Sequence, residues 1–246
     1  MKKFSRLLIT TALVMAFIPI QAFAKTDSSP RLISEKEVVL TASSTNTGKA
    51  TTAVNTQKEF TLKSYDDNGT TVYEFGDVDR EYRQSAMDYI MKSTGDARVQ
   101  ENTYSGPLWA GESKYLNHQT YDGDATSYAW KENYVNAWGE GKRGNNFSGG
   151  QSAGWFGSNT PNFIILNQGI SVSGIMVTIS WPPSVSGSGN SSSWQSQPLY
   201  TSVGGASFTG FFVGGTAFST TFNEGGDIYF ASRIYRPVTY IKYSII

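Results

Sequence analysis

The sequence contains no cysteine and a single histidine, His118. Without cysteine the chain forms neither a disulfide nor a cysteine-ligated metal site, so a folded domain has to rely on its own hydrophobic core. One histidine is also too few for a histidine-based zinc site. The sequence therefore predicts no metal and no cofactor, and we expect His118 to be a hydrogen-bonding surface residue.

Charged residues are scarce, and they are absent from about a third of the chain. They make up 16% of the sequence, yet no Asp, Glu, Lys, Arg or His occurs in residues 144–223. This uncharged segment is rich in aromatic residues, Gly, Ser, Thr and Asn. It is either mostly buried or presents a neutral face to a partner. Basic and acidic residues number 20 each in the whole chain, and the lack of a basic excess argues against nucleic acid as a partner.

The first 24 residues are typical of a secretory signal. A basic start, Met1 to Arg6, precedes an apolar run, Leu7 to Ile20, and the small-residue cleavage pattern of Ala22 to Ala24. The apolar run is shorter than the roughly 20 residues of a membrane-spanning helix. We therefore predict cleavage after Ala24 and secretion, into the periplasm if the source has an outer membrane.

Residues 25–58 are dominated by Ser, Thr, Asn, Lys and Ala. Such a composition buries too little apolar surface to offset the entropy lost on ordering. We interpret this stretch as a flexible leader or pro-region, and we place the folded domain at residues 59–246.

The folded domain opens with a predicted hairpin and a predicted helix. Two alternating runs flank an Asn-Gly turn at Asn68 and Gly69, which is a strong hairpin signal. Apolar residues then recur at helical spacing from Val78 to Ile90, after a predicted N-cap at Gly76-Asp77. We predict one helix over about residues 78–93, docked on a sheet.

The rest of the domain has strand patterns. Residues 144–162 are predicted to be a loop, and Phe163 to Trp181 a strand with a β-bulge at Ser173-Gly174. Residues 208–213 and 216–222 are predicted to pair as a hairpin that sets Phe211 opposite Phe218. Alternation in the last strand, residues 238–246, indicates a sheet with one wet face. These patterns predict a mainly β, antiparallel sandwich-like single domain.

Two patterns bear on catalysis. Gly150 to Gly154 matches the G-x-S-x-G of a hydrolase nucleophile elbow, but the strand and helix that this motif needs around the serine are not predicted, so we interpret the match as chance. Paired carboxylates for glycoside hydrolysis are available, although a solvated acidic edge is the commoner use of such residues; the candidates are Glu112, Asp122, Asp124, Glu132 and Glu140. We therefore favour a function without catalysis.

Two functions and one purely structural interpretation remain. The first is a secreted binding protein for a neutral glycan or another cell-surface component, with Trp155, Trp181 and Trp194 stacking on sugar rings and Asn159 and Gln195 supplying hydrogen bonds. The second is a β-pore-forming toxin in which residues 170–181 span a membrane and residues 184–197 form a translocated tip. The third is that the uncharged segment is buried core with polar loops.

Overall fold

The computed structural model describes residues 29–42, 56–94, 103–107, 112–124, 126–139, 144–181, 190–213 and 216–244. These residues form two packed β-sheets and one helical segment, which confirms the prediction of a mainly β, sandwich-like single domain. The predicted signal lies outside the described residues. Within them, no helix has the length and hydropathy of a membrane span.

The first sheet contains eight strands, which are β1 (Arg31–Thr41), β2 (Gln57–Asp67), β3 (Thr70–Phe75), β5 (Glu112–Tyr121), β6 (Tyr128–Gly139), β7 (Gly144–Trp155), β9 (Thr178–Ser180) and β11 (Val203–Val213). Their spatial order is β1-β2-β3-β11-β7-β6-β5, and the short β9 also pairs with β11. All of these pairs are antiparallel.

The second sheet contains β4 (Thr103–Pro107), β8 (Phe163–Ile175), β10 (Ser191–Gln195), β12 (Thr216–Tyr229), β13 (Ile234–Tyr235) and β14 (Val238–Ser244). Its order is β10-β8-β12-β14-β4, with β13 beside β12. The β14–β4 pair is parallel and the other pairs are antiparallel. In β14, Ile241 and Tyr243 are buried while Lys242 is half-buried, so the predicted alternation of the last strand is confirmed.

The helix α1 (Arg83–Thr94) follows a 3-10 turn at Arg80–Tyr82 and packs against β7 and β11. Its apolar residues pack into a cluster separate from the core between the two sheets, so α1 covers the outer face of the first sheet. The prediction of one helix docked on a sheet is confirmed. Asp79, rather than Gly76-Asp77, takes the N-cap position, and it makes no side-chain capping bond.

The hairpin at Asn68-Gly69 is confirmed. Asp67 pairs with Thr70, and the two turn residues have φ of 54° and 81°. Both angles lie in the left-handed region that Asn and Gly tolerate best, which explains why this dipeptide joins β2 to β3.

The segment predicted to be a flexible leader contains an ordered strand. Residues 31–41 form β1, which pairs with β2 from Arg31 to Thr41 with one register shift between Leu32 and Ser34. Only Val38 and Leu40 of this strand are buried, packed with residues of β2 and the helical segment. An edge strand takes its hydrogen bonds from the neighbouring backbone, so it needs few apolar residues of its own. Removal of residues 25–58 after export stays a prediction.

The segment predicted to be a loop at residues 144–162 is instead mostly strand. Residues 144–155 form β7, which lies between β6 and β11 inside the first sheet. Its glycines provide space: a Cβ added at Gly150 would lie 2.1 Å from Thr94 Oγ1, and one at Gly154 would lie 2.8 Å from Met87 Sδ. The glycine content of this strand therefore allows α1 to approach closely, and it does not indicate a loop.

The predicted hairpin of residues 208–222 is wrong. β11 and β12 are consecutive in sequence but lie in different sheets, so Phe211 is opposite Asn146 and Ser180 rather than Phe218. Each strand buries one side in the core between the sheets. β11 does so from the first sheet and β12 from the second. The residues that connect them lie outside the described part of the chain.

The single strand predicted from Phe163 to Trp181 is divided between the sheets. β8 ends at Ile175 in the second sheet, and β9 begins at Thr178 in the first. A register shift does occur at the predicted site, opposite Ser173, but the extra residue is Phe218 on the neighbouring strand β12. The 12-residue spanning strand that the pore interpretation requires is therefore not continuous in this fold.

Candidate functional site

A pocket of about 160 Å³ lies at one edge of the sandwich. The β2–β3 hairpin forms one wall through Tyr65, Asp67 and Glu74, and the segment after β10 forms the other through Gln197 to Leu199. Val72 and Leu199 form part of the core between the two sheets, so the floor of the pocket is apolar. The pocket therefore combines an apolar floor with a few polar side chains, as small-molecule sites commonly do.

Glu74 organises this pocket. Its Oε1 accepts a hydrogen bond of 3.0 Å from the backbone N–H of Tyr200, which fixes the chain immediately after the pocket-lining Leu199. The Tyr65 hydroxyl interacts with the same carboxylate. Burial, and then the negative charge of Glu74, raise the pKa of Tyr65, so its hydroxyl remains a donor at neutral pH.

Asp67 supplies a second carboxylate. Its residue is 4% exposed, and its Oδ1 accepts a hydrogen bond of 3.0 Å from Asn68 Nδ2 at the hairpin turn. The turn that the sequence predicts thus positions an acidic side chain against the pocket. Two carboxylates and the Gln197 amide give the pocket mainly hydrogen-bond acceptors, with the amide N–H groups of Gln197 as donors.

An exposed aromatic residue directly follows the pocket-lining segment in the chain. Tyr200 is 76% exposed, and its ring centroid lies 6.2 Å from that of Phe163, which in turn stacks on Tyr229 at 4.6 Å. The backbone bond to Glu74 holds Tyr200 at this position. The three rings form an aromatic row, and the most accessible is that of Tyr200, the residue that follows the pocket-lining Leu199.

A second constellation is fully enclosed between the sheets. Lys131 Nζ donates to Gln151 Oε1 at 2.5 Å and lies 3.9 Å from Glu224 Oε2. Gln151 Nε2 donates to Gln168 Oε1 at 3.5 Å, and Gln168 Nε2 donates to Glu224 Oε1 at 3.2 Å. The four side chains come from β6, β7, β8 and β12 and form a closed polar ring that joins one sheet to the other. We call them the buried polar ring.

Burial shifts both charged groups of the buried polar ring. Desolvation raises the pKa of Glu224 to about 7 against the opposing effect of Lys131, and desolvation lowers the pKa of Lys131 to about 8. Shifts of this kind often mark active sites. Both side chains, however, are 0% exposed. The ring links the two sheets through residues of both.

The three tryptophans predicted to stack on sugars lie in the core. Trp155 and Trp181 are 0% exposed, and Trp194 is 7% exposed. Each packs in the apolar cluster between the sheets. Their ring faces are covered by protein in this conformation, and ligand binding by these residues stays a prediction.

The two polar residues assigned with them are exposed. Asn159 accepts a hydrogen bond of 3.0 Å from Trp155 Nε1, and Gln195 donates one of 2.8 Å to Asn167. Asn159 follows β7, whereas Gln195 ends β10 in the other sheet. The structure does not join these two residues and the tryptophans into one surface.

The patterns considered for catalysis fall at ordinary positions in strands. Ser152 is buried in the middle of β7, whereas a nucleophile elbow requires a sharp turn between a strand and a helix. His118 lies on β5, where its Nδ1 accepts a hydrogen bond of 3.0 Å from the Val238 N–H.

The acidic residues considered for glycoside hydrolysis have separate partners. Asp122 pairs with Arg233 at 2.8 Å, Asp124 accepts bonds from Thr126 and Ser127, and Glu132 accepts one from Trp130. The side chains of Glu112 and Glu140 lie outside the described part of the structure. Among the described residues, no group of three or more acidic or histidine side chains is placed to hold a metal ion.

The chain matches no known protein-family model. No curated protein and no solved structure matches it significantly either. Function therefore has to be argued from the pocket and from the surface of this chain alone.

Sequence reasoning does not find the pocket. Tyr65 and Glu74 look like ordinary members of alternating strands, and Tyr200 looks like part of a strand that in fact begins only at Val203. The available signal is Pro198, since a proline after a Ser/Gly-rich stretch favours an irregular segment, and an aromatic residue on such a segment is free to face solvent.

Proposed function

We propose that this protein is a secreted, non-enzymatic binding protein that recognises a neutral glycan, with Tyr200 packing on one sugar ring beside the pocket. The observation that carries this proposal is the exposed Tyr200, whose backbone N–H is held by Glu74 and which directly follows the lining of a pocket with polar walls and an apolar floor. The pocket volume of about 160 Å³ is smaller than the roughly 300–1,000 Å³ of pockets for drug-sized ligands. It therefore suits one sugar ring or the terminal sugar of a glycan.

The chemistry of the pocket matches that of a sugar. A sugar ring presents apolar C–H groups on its faces, which pack on an aromatic ring, and hydroxyl groups at its edge. Carboxylates such as Asp67 and Glu74 accept hydrogen bonds from hydroxyl groups, and bonds to charged groups are the stronger ones. The Gln197 amide both donates and accepts.

The charge of the pocket selects against acidic ligands. Among the described residues, two carboxylates and no basic side chain line it. A phosphate, a sulfate or an acidic sugar would be repelled at this range, whereas an uncharged sugar is not. The neutral glycan expected from the composition of the chain therefore also fits the electrostatics of this pocket.

The test is binding to an array of neutral and acidic glycans, followed by titration of the best neutral ligand. We expect Tyr200→Ala to weaken binding by about tenfold, because aromatic packing is worth roughly 0.5–1.5 kcal/mol beyond the buried area itself. Glu74→Gln should weaken it by a similar factor through the loss of a charged acceptor. Folding should survive Tyr200→Ala, since Tyr200 is largely exposed, and Glu74→Gln, since Gln keeps an oxygen that accepts from the Tyr200 N–H.

Tyr121→Ala is the matched control. Tyr121 is an exposed tyrosine on β5, at the opposite edge of the first sheet from β2 and β3. Binding should be unchanged in this variant. An array on which only acidic glycans bind, or a Tyr200→Ala protein that binds as well as the unaltered chain, would count against the proposal.

Membrane activity is the alternative function, and one observation favours it. β8 and β12 are antiparallel neighbours of 13 and 14 residues. In β8 the buried residues Ile164, Leu166, Ile170 and Val172 alternate with less buried ones, and strands of about 9–11 residues with an alternating pattern suffice to span a membrane as part of a closed barrel. Release of a dye from vesicles tests this alternative; intact vesicles at micromolar protein would argue against it.

A further inference from the structure

Four exposed apolar side chains gather at one end of the sandwich. They lie at the end of β8, near the end of β11 and near the start of β12, and they are Ile175, Met176, Phe211 and Phe218. Ile175 is 60% exposed and Met176 85%, while the two phenylalanines are exposed by 41–47%. We call these four residues the apolar tip.

Strand pairing places the four residues at the same end of the two sheets. Ile175 is opposite Thr216, and Phe218 is the extra residue of the bulge two positions further along β12. Phe211 pairs with Ser180 of β9, the short strand that begins two residues after Met176. The turn from β8 to β9 therefore carries Met176 between the two phenylalanine-bearing strands.

The apolar tip surrounds the end of the molecule rather than forming one flat patch. A Cβ added at Gly210 would meet Phe147 and Trp181 in the core, so the next residue, Phe211, points to the outer face of the first sheet. Ile175 alternates with buried residues of β8 and points to the outer face of the second sheet. Met176 lies on the crossing between the two sheets.

The backbone at Met176 is held in an unusual conformation. Its φ is 57°, in the left-handed region that few residues other than Gly, Asn and Asp adopt. Such strain persists only where the surrounding structure imposes it, and it clusters at functional sites. Here it accompanies the most exposed large apolar side chain among the described residues.

We propose that the apolar tip docks the protein onto the surface of a lipid bilayer, with its four side chains inserted among the headgroups. A fluid bilayer covers a tip that presents apolar groups on both outer faces, whereas a rigid protein partner covers only one. All four residues belong to the uncharged segment, so their insertion desolvates no charge of that segment. Ser173, Ser180 and Ser219 lie beside them and offer hydroxyl groups to the headgroups.

This inference is independent of glycan binding, because the pocket lies on the β2–β3 hairpin and not at this end of β8. It also differs from pore formation, since docking needs no rearrangement of the strands. The probe is flotation of the full chain with vesicles of phosphatidylcholine alone, a neutral lipid that offers no net charge to the protein.

The test compares two triple variants. The tip variant carries Ile175→Ser, Met176→Asn and Phe218→Ser. The control carries Leu32→Ser, Ile33→Ser and Val39→Ser on the edge strand β1, where each residue is 51–55% exposed. We expect the unaltered chain and the control to float with the vesicles. The fraction of the tip variant that floats should be lower by about tenfold or more. Circular dichroism confirms that both variants fold.

Each other outcome overturns the proposal. An unaltered chain that fails to float has no lipid-docking surface. Equal flotation of the tip variant and the control places lipid binding elsewhere. If the unaltered chain dimerises in solution, the tip variant does not, and neither floats, the apolar tip is an interface between two copies. The Tyr200→Ala protein should float as the unaltered chain does. Loss of lipid docking and loss of glycan binding can therefore be distinguished.

Discussion

At the scale of single residues, Met176 presents the clearest conflict between backbone and side chain. A left-handed conformation costs roughly 1–2 kcal/mol for most residues, and Asn tolerates it better. Met176→Asn should therefore raise the free energy of unfolding by up to about 1 kcal/mol, since the side chain makes few contacts to lose. Urea denaturation measures this change. A fall in the free energy of unfolding would show instead that Met176 packs against the protein in solution.

Residue identity alone also limits what can be predicted about the tryptophans. The sequence shows that aromatic residues are abundant in the uncharged segment. Composition, however, does not distinguish an exposed ring that stacks on sugar from a buried ring that fills a core. The structure separates them through strand register: Trp155 and Trp181 face the other sheet, and Tyr200 follows Pro198 on an irregular segment. That register depends on pairing partners distant in sequence, which no local pattern specifies.

At the scale of elements, glycines determine how closely α1 packs on the first sheet. A Cβ at Gly205 in β11 would lie 2.4 Å from Ile90 Cγ2 and 2.5 Å from the backbone oxygen of Gln151. Gly205→Ala should therefore destabilise the fold by about 2–3 kcal/mol, as overpacking does where backbone has to move. Gly169→Ala in β8 is the control, because its nearest atom would be 3.7 Å away. Equal melting temperatures for the two variants would contradict this account of the packing.

The same packing explains which elements the sequence predicts well. The β2–β3 hairpin depends on a two-residue turn whose chemistry is local, and the structure confirms it. The strand β7 depends on contacts with α1, and its glycines resemble a loop signal when the helix is not in view. The sequence does not predict β1 for a related reason. Its own composition gives little strand signal, and its backbone hydrogen bonds are made with β2.

At the scale of the whole molecule, the buried polar ring is a link between the sheets that is not apolar. A buried ion pair loses much of its Coulomb attraction to desolvation, and it is seldom a net source of stability. Its more useful property is geometric. The bond from Gln151 to Gln168 joins the two sheets, and the bond from Gln168 to Glu224 holds Gln168 in place within the second sheet. Both bonds form only when the sheets are packed in one relative position. The ring therefore selects one arrangement of the two sheets.

The sign of the pH dependence follows from the direction in which each pKa moves on folding. The pKa of Glu224 is raised in the fold, from 4.5 to about 7, so its contribution to stability is present below pH 4.5 and is lost as pH rises to 7. The pKa of Lys131 is lowered from 10.5 to about 8, so its contribution is present above pH 10.5 and is lost as pH falls to 8. The pair therefore contributes least between pH 7 and 8, where both groups are charged.

Glu224→Gln tests this electrostatic account. Gln keeps an oxygen that accepts from Gln168 Nε2, and it imitates the protonated carboxyl group. As pH rises from 5 to 7, the stability of the unaltered chain should fall relative to Glu224→Gln by about 2–3 kcal/mol, because a tenfold change in proton affinity corresponds to roughly 1.4 kcal/mol. Urea denaturation at each pH measures the difference, and Glu59→Gln, at an exposed position on β2, should show no such trend. If the unaltered chain instead gains stability over Glu224→Gln between pH 5 and 7, the attraction of Lys131 outweighs desolvation, and the buried polar ring holds the two sheets together through its charges.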